Sequence, residues 1–221
     1  MMTEQKHTNL DKRQRPRGTG WITCVQLFAA VCLGFLGTGT TAEAASTRIS
    51  RVVIDAGHGG HDSGAKRGYV LEKHLALDVT RRLERYLERR KMRCVQTRNR
   101  DTFIPLSQRS KIANRYRDAV FVSVHFNWAY NSEGTGTETF YNKNSSLASA
   151  IQTRVARKAG TTNRGTKRAS FYVLRHTDIP AALVECGFIS NYDDRRRCLD
   201  PRYRQKIAEA IGEGILAYSR G

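Results

Sequence analysis

Residues Val52-Val53-Ile54-Asp55-Ala56-Gly57-His58-Gly59-Gly60 form a short apolar run that breaks into a glycine-rich turn. The run reads as a buried strand, and the glycines relax the backbone after it. Open α/β sheets place their ligands at that C-terminal end of a strand, so His58 is lifted out where chemistry is done. A second run, Ala119-Val120-Phe121-Val122-Ser123-Val124-His125, is continuously apolar rather than alternating. That is the mark of a strand covered on both faces, at the centre of a sheet.

Between these runs the pattern turns helical. Leu71, Leu75, Val79, Leu83 and Leu87 recur every four residues with Arg, Lys and Glu outside them, which predicts a helix from 71–72 to about 90 with one core-facing stripe. Strands are expected at 51–55, 92–97, 119–125, 137–141, 171–174 and 182–185. Further helices are expected at 106–116, 147–158 and 201–219. The Gly/Thr/Arg-rich segment 160–168 reads as an exposed loop, and Arg195-Arg196-Arg197 as a solvated charge run. Strands alternating with helices predict an α/β fold, a mostly parallel or mixed twisted sheet with helices on both faces, in a single catalytic domain.

The chain of 221 residues carries 38 Lys/Arg against 20 Asp/Glu, a formal charge of +18. The first 44 residues hold only five of those bases and three of the acids, so +16 stays with residues 45–221. Such a domain is suited to polyanionic surroundings: nucleic acid, anionic lipid or an acidic wall polymer. The N-terminus chooses among them. A basic segment through Arg17, an apolar stretch from Trp21 to Leu36 and Ala42-Glu43-Ala44 make the three-part pattern of an export signal cleaved before Ala45. The alternatives are an uncleaved membrane anchor, although the stretch falls short of the roughly 20 residues a spanning helix prefers, and a disordered tail with no targeting role. The expected layout is a signal over 1–44, a short leader over 45–50 and a catalytic domain over 51–221. The expected location is the periplasm, the cell wall or the extracellular space, where chromosomal nucleic acid is not a partner; membrane contact is expected only if the signal is uncleaved. Cys94, Cys186 and Cys198 lie in the domain. An odd number excludes a full disulfide framework, and Cys186 and Cys198 could be either a pair or two buried thiols.

Four polar residues sit at strand ends or helix starts: His58, Glu72, His125 and Glu185. Two histidines and a carboxylate are the ligand set of hydrolytic zinc sites, with a fourth position open for water. A second glutamate then suits general acid–base work. No HExxH motif is present, so the ligands would come from separate elements; by spacing alone the assembly is weakly specified. His61 and His74 read as solvent-facing, and Cys186 as a buried thiol rather than a nucleophile.

The run 53–60 with Gly64-Ala65 and Glu72-Lys73, then Thr97-Arg98 with Asp101, Leu106, Arg109, Ala113 and Asn114, then Ser123-Val124-His125-Phe126-Asn127, and finally Val173-Leu174, Ile179-Pro180 and Leu183 to Asn191 resemble, in order, the zinc-dependent N-acetylmuramoyl-L-alanine amidases of the type 3 amidase family. The resemblance covers nearly all of residues 51–218. It implies one Zn2+ held by His58, Glu72 and His125, with Glu185 as the catalytic carboxylate. Glu138 and Asn127 are candidate substrate-side residues. The implied reaction is hydrolysis of the amide between N-acetylmuramic acid and L-alanine in peptidoglycan, by a monomer. Ser63 stands where the family usually has proline, and Phe126 where a small residue is common; Phe126 is expected to narrow the cleft or to alter substrate preference. Division-associated members carry an inserted helix over the zinc site. The segment 142–170 has room for one helix and a loop, which implies a site open by default. The rival readings are a zinc peptidase or deacetylase acting on other wall bonds, and a wall-binding module without turnover.

Overall fold

A computed structural model describes residues 49–220; the expected signal over 1–44 lies outside the described residues. The chain runs β1 (Arg51–Ala56), β2 (Lys66–Arg67), β3 (Val70–Leu71), α1 (Glu72–Glu88), β4 (Arg93–Gln96), α2 (Leu106–Ala113), β5 (Ala119–Asn127), β6 (Thr137–Tyr141), α3 (Ser146–Ala159), β7 (Asn163–Arg168), α4 (Tyr172–Arg175), β8 (Ala181–Phe188), α5 (Tyr192–Leu199) and α6 (Pro201–Tyr218). Six strands form one sheet in the order β4-β1-β5-β8-β6-β7, while β2 and β3 make a separate antiparallel hairpin. Every pairing in the large sheet is parallel except β6 on β8. The continuous apolar run of 119–125 therefore lies inside the sheet, between β1 and β8, as a strand buried on both faces must.

Alternation along the strands sorts two cores. Val52 and Ile54 of β1, Val120, Val122, Val124 and Phe126 of β5, and Ala182, Val184 and Cys186 of β8 join the core formed with α1, α3 and α6. Val53, Phe121 and Leu183 point the other way, into a smaller core with Ala113 at the end of α2 and Val173 and Leu174 of α4. The stripe of α1 is buried as its spacing demands: Val79, Leu83 and Leu87 are fully covered. The α2–α4 layer is short, so the C-terminal ends of the central strands on that face are left for the site.

Three expectations fail. Residues 160–168 are not a loop throughout, because Asn163–Arg168 pairs with β6 as the edge strand β7. Residues 171–174 are not a strand; Tyr172–Arg175 is one helical turn that turns Val173 and Leu174 onto the small core. Phe126 does not narrow the cleft, because alternation turns it into the large core, where it is 2% exposed. The Arg195–Arg197 run belongs to α5, whose Asn191 cap accepts from Asp194 N (3.1 Å). Asp194, buried, ties α5 down by accepting from Gly136 N and Phe188 N. Cys94, Cys186 and Cys198 are free thiols, the last two buried. Among the described residues no helix is long and apolar enough to cross a membrane.

Candidate metal centre

The turn after β1 is held by an unusual number of charged hydrogen bonds. Gly57 N donates to Val124 O (3.0 Å), extending the β1–β5 pairing by a residue. His58 then takes a left-handed backbone, φ 58°, which is unfavourable for any residue with a side chain. Two buried arginines restrain it. Arg98 donates from Nε to Ala56 O (2.9 Å) and from Nη2 to Gly57 O (2.6 Å). Arg109 donates from Nη1 to Ala56 O (2.6 Å) and from Nη2 to His58 O (2.7 Å). Three successive carbonyls are thus tied to guanidinium groups. The Arg109 charge is matched by Asp55 (2.7 Å), which also accepts from Thr97 Oγ1 (2.6 Å) and Ser123 Oγ (2.7 Å). Burial pushes the Asp55 pKa up, but Arg109 and the two hydroxyls outweigh it and hold the carboxyl below its ordinary value.

Glu72 opens α1 and is buried between two imidazoles. Its Oε1 lies 2.8 Å from His125 Nδ1 and accepts from Phe126 N (3.0 Å). Its Oε2 lies 3.1 Å from His58 Nε2 and accepts from Ala65 N (2.8 Å). One ligand-type atom from each of His58, Glu72 and His125 falls within 4.8 Å of the others. On the far side of its ring, His58 Nδ1 is 2.8 Å from Asp62 Oδ2, which fixes the ring so that Nε2 faces the cluster. Burial opposes charge on His58, but the Glu72 and Asp62 carboxylates overcome it and raise its pKa to about 9. Burial likewise pushes Glu72 up, and the two imidazoles reverse this, holding it well below the usual carboxylate range. The cluster is therefore a cation trap.

Glycine gives the trap its room. A Cβ on Gly57 would lie 2.4 Å from His125 Cε1, and one on Gly64 would lie 2.5 Å from Glu72 Oε2. Two imidazole nitrogens and one carboxylate gathered in such a space are the donor set of a hydrolytic zinc site with a position left open. The residues fit that ion.

Glu185 of β8 is in direct register with His125 of β5, and on its other side with Glu138 of β6. Residues paired in register project from the same face, so Glu185 stands beside His125, half-buried. Asn127 and Glu138 are joined to each other, Asn127 Nδ2 donating to Glu138 Oε1 (2.7 Å). Glu138 also binds Arg164 Nε (3.1 Å) and Lys167 Nζ (2.5 Å). His61 packs at a tilt against Phe103 and His74 lies 3.6 Å from Asp101, both outside the cluster. Cys186 points into the opposite core, where burial pushes its thiol pKa well above the ordinary value. Sequence reasoning missed Asp62, the carbonyl-binding role of Arg98 and Arg109, and the pairing of Arg164 and Lys167 with Glu138. The only signal for Asp62 was its place four residues after His58; the others are joined across 26 to 54 residues or so of chain.

Residues 52–217 match the family described as N-acetylmuramoyl-L-alanine amidase. The N-acetylmuramoyl-L-alanine amidase LytC of Bacillus subtilis is 36% identical over 175 residues, which are 76% of this chain and 35% of LytC, so the chain spans about a third of that protein's length. The solved catalytic domain of CwlV, an N-acetylmuramoyl-L-alanine amidase from Bacillus (Paenibacillus) polymyxa var. colistinus, superimposes with a TM-score of 0.74 at 37% identity, covering 76% of this chain and 97% of that one. The N-acetylmuramoyl-L-alanine amidase AmiC2 of Nostoc punctiforme gives 0.74 at 38% identity, covering 77% and 97%.

Proposed function

The chain belongs to the N-acetylmuramoyl-L-alanine amidase family, and from that footing we propose that it is a zinc-dependent enzyme hydrolysing the amide between N-acetylmuramic acid and L-alanine in peptidoglycan. The observation that carries the reading is the His58–Glu72–His125 cluster with Glu185 in register beside it. His58, Glu72 and His125 would hold the ion, Asp62 orienting His58. A zinc ion so held supplies a Lewis acid for the amide carbonyl and lowers the pKa of water toward ~7. Glu185 takes the proton of the attacking water as its oxygen bonds to the lactyl carbon. It then returns that proton to the nitrogen as the C–N bond breaks, leaving a lactyl carboxylate and a free L-alanine amine. The buried Arg98 and Arg109 keep the His58 turn in place through both steps. The catalytic unit in this reading is residues 51–221, acting outside the cytoplasm after export directed by residues 1–44.

The test is mass spectrometry of purified peptidoglycan digested with and without chelator. Intact stem peptides with a free L-alanine amine, appearing only with metal, are the expected products. Fragments cut within the stem peptide would move the assignment to a peptidase, and bound but uncut polymer would leave a wall-binding module.

A further inference from the structure

The row of side chains that begins at the ligand cluster does not stop at Glu185. His125 on β5, Glu185 on β8 and Glu138 on β6 are successive partners across the sheet, and β7 lies next. From β7, Arg164 and Lys167 reach back to Glu138, which is only 4% exposed. One cation would neutralise that carboxylate, yet two converge on it. Glu138, Arg164 and Lys167 together therefore carry one cation more than their carboxylate needs, with Glu185 the next carboxylate along the row.

Both cations are fixed and both have donors to offer. Arg164 binds Glu138 through Nε, and its guanidinium lies 5.0 Å over the Phe188 ring. Its Nη1 has only a long contact to Thr135 O (3.5 Å). Lys167 uses one of three ammonium donors on Glu138. The two side chains remain 35% and 43% exposed, so a ligand in the cleft can reach them. A guanidinium held by one carboxylate and stacked on a ring presents its outer edge in a set direction, which suits a second carboxylate.

Distance decides which part of a substrate arrives there. Neighbouring strands are about 4.8 Å apart, so β7 lies roughly 10 Å from Glu185, and its side chains extend back over β6. An extended peptide advances about 3.3–3.6 Å per residue. We infer that Arg164 and Lys167 form a carboxylate-binding subsite for the peptide side of the substrate, taking an acid two to three residues beyond the cleaved amide. The inference rests on the amidase reading and adds a specificity to it: the site prefers a free carboxylate to a carboxamide at that place.

The experiment uses the full-length, zinc-loaded protein and pairs of synthetic muramoyl peptides that differ only by carboxylate or carboxamide at the second or third residue. For at least one pair, the carboxylate form should show a KM about fivefold to tenfold lower, with kcat alike. Arg164→Gln and, separately, Lys167→Gln should each raise KM for that carboxylate form and leave its carboxamide partner unchanged. Each variant retains the other cation to neutralise Glu138, so folding is preserved. Equal KM for both forms of every pair would overturn the subsite while leaving the amidase reading intact. Variants that lower the melting temperature without changing the KM ratio would show that the two cations serve only Glu138. Cleavage of no peptide would overturn the amidase reading and the subsite with it.

Discussion

Arg109 is 2% exposed, and replacing it by methionine keeps much of the volume while removing every polar contact. The variant leaves Asp55, 1% exposed, as a buried carboxylate without its cation, and deprives the Ile104 and His58 carbonyls of their donors. Ala56 O keeps Arg98 Nε, and Asp55 keeps two hydroxyls, which limits the damage. Removing one partner of a buried pair costs about 3–5 kcal/mol, and the two stranded carbonyls place this variant toward the upper end. For a domain of this size, that is a fall in melting temperature of roughly 6–20 °C. The assay is urea unfolding of the metal-free protein in chelator, so that ligand binding adds nothing to the native state. Adding Asp55→Asn to Arg109→Met removes the stranded charge and should recover about 1–2 kcal/mol, so the two substitutions should be clearly non-additive. A loss below about 1 kcal/mol, or additivity within about 0.5 kcal/mol, would refute the claim that this pair braces the His58 turn.

Glu185→Gln should bind zinc and unfold like the wild type but lose about 10²- to 10⁴-fold in amide hydrolysis, measured by release of free L-alanine amines. Gly57→Ala should fold and yet lose zinc affinity in a chelator-competition titration, because the new Cβ falls 2.4 Å from the His125 ring; unchanged affinity would show that His125 can move aside and still bind. Asp55 has a depressed folded pKa, so its stabilisation is present above its ordinary 3.8 and is lost as pH falls through the lower folded value. Urea titrations below pH 4 should therefore show an acid-dependent loss in the wild type that is diminished in Asp55→Asn.

Features whose cause is local, or repeats along the chain, were legible in sequence. The stripe of α1, the apolar run of β5, the limits of β6 at 137–141 and the start of α6 after the Asp200 cap and Pro201 each follow from a few neighbouring residues. The elements that escaped owe their form to distant partners. β7 reads Asn-Arg-Gly-Thr-Lys-Arg, a poor strand by composition, and it is a strand because β6 pairs with its backbone while buried Glu138 holds Arg164 and Lys167. Lysine and arginine on an edge also discourage pairing with another chain, so the same composition that hides the strand keeps it an edge. The Tyr172–Arg175 turn is apolar enough for a strand, yet the small core needs Val173 and Leu174 side by side, which a helical turn supplies and an extended segment does not.

The ligand cluster obeys the same division. No spacing rule joins residues 58, 72 and 125, because parallel pairing of β1 with β5 brings the two strand ends together and the hairpin returns the chain to Glu72. Motif resemblance could name these residues without explaining how they meet. The explanation lies in Arg98 and Arg109, which look like surface charges in a basic sequence and are 3% and 2% exposed in the fold. Buried guanidinium groups are tolerable only where carbonyls and a carboxylate surround them, and here those acceptors are the turn that presents His58 and the strand that leads to it. The groups that shape the site are therefore the same ones that hold the end of β1 in place. This basic chain has two populations of arginine. One population, such as Arg164, is partly exposed; the other, Arg98 and Arg109, is folded inward and braces the turn that presents His58.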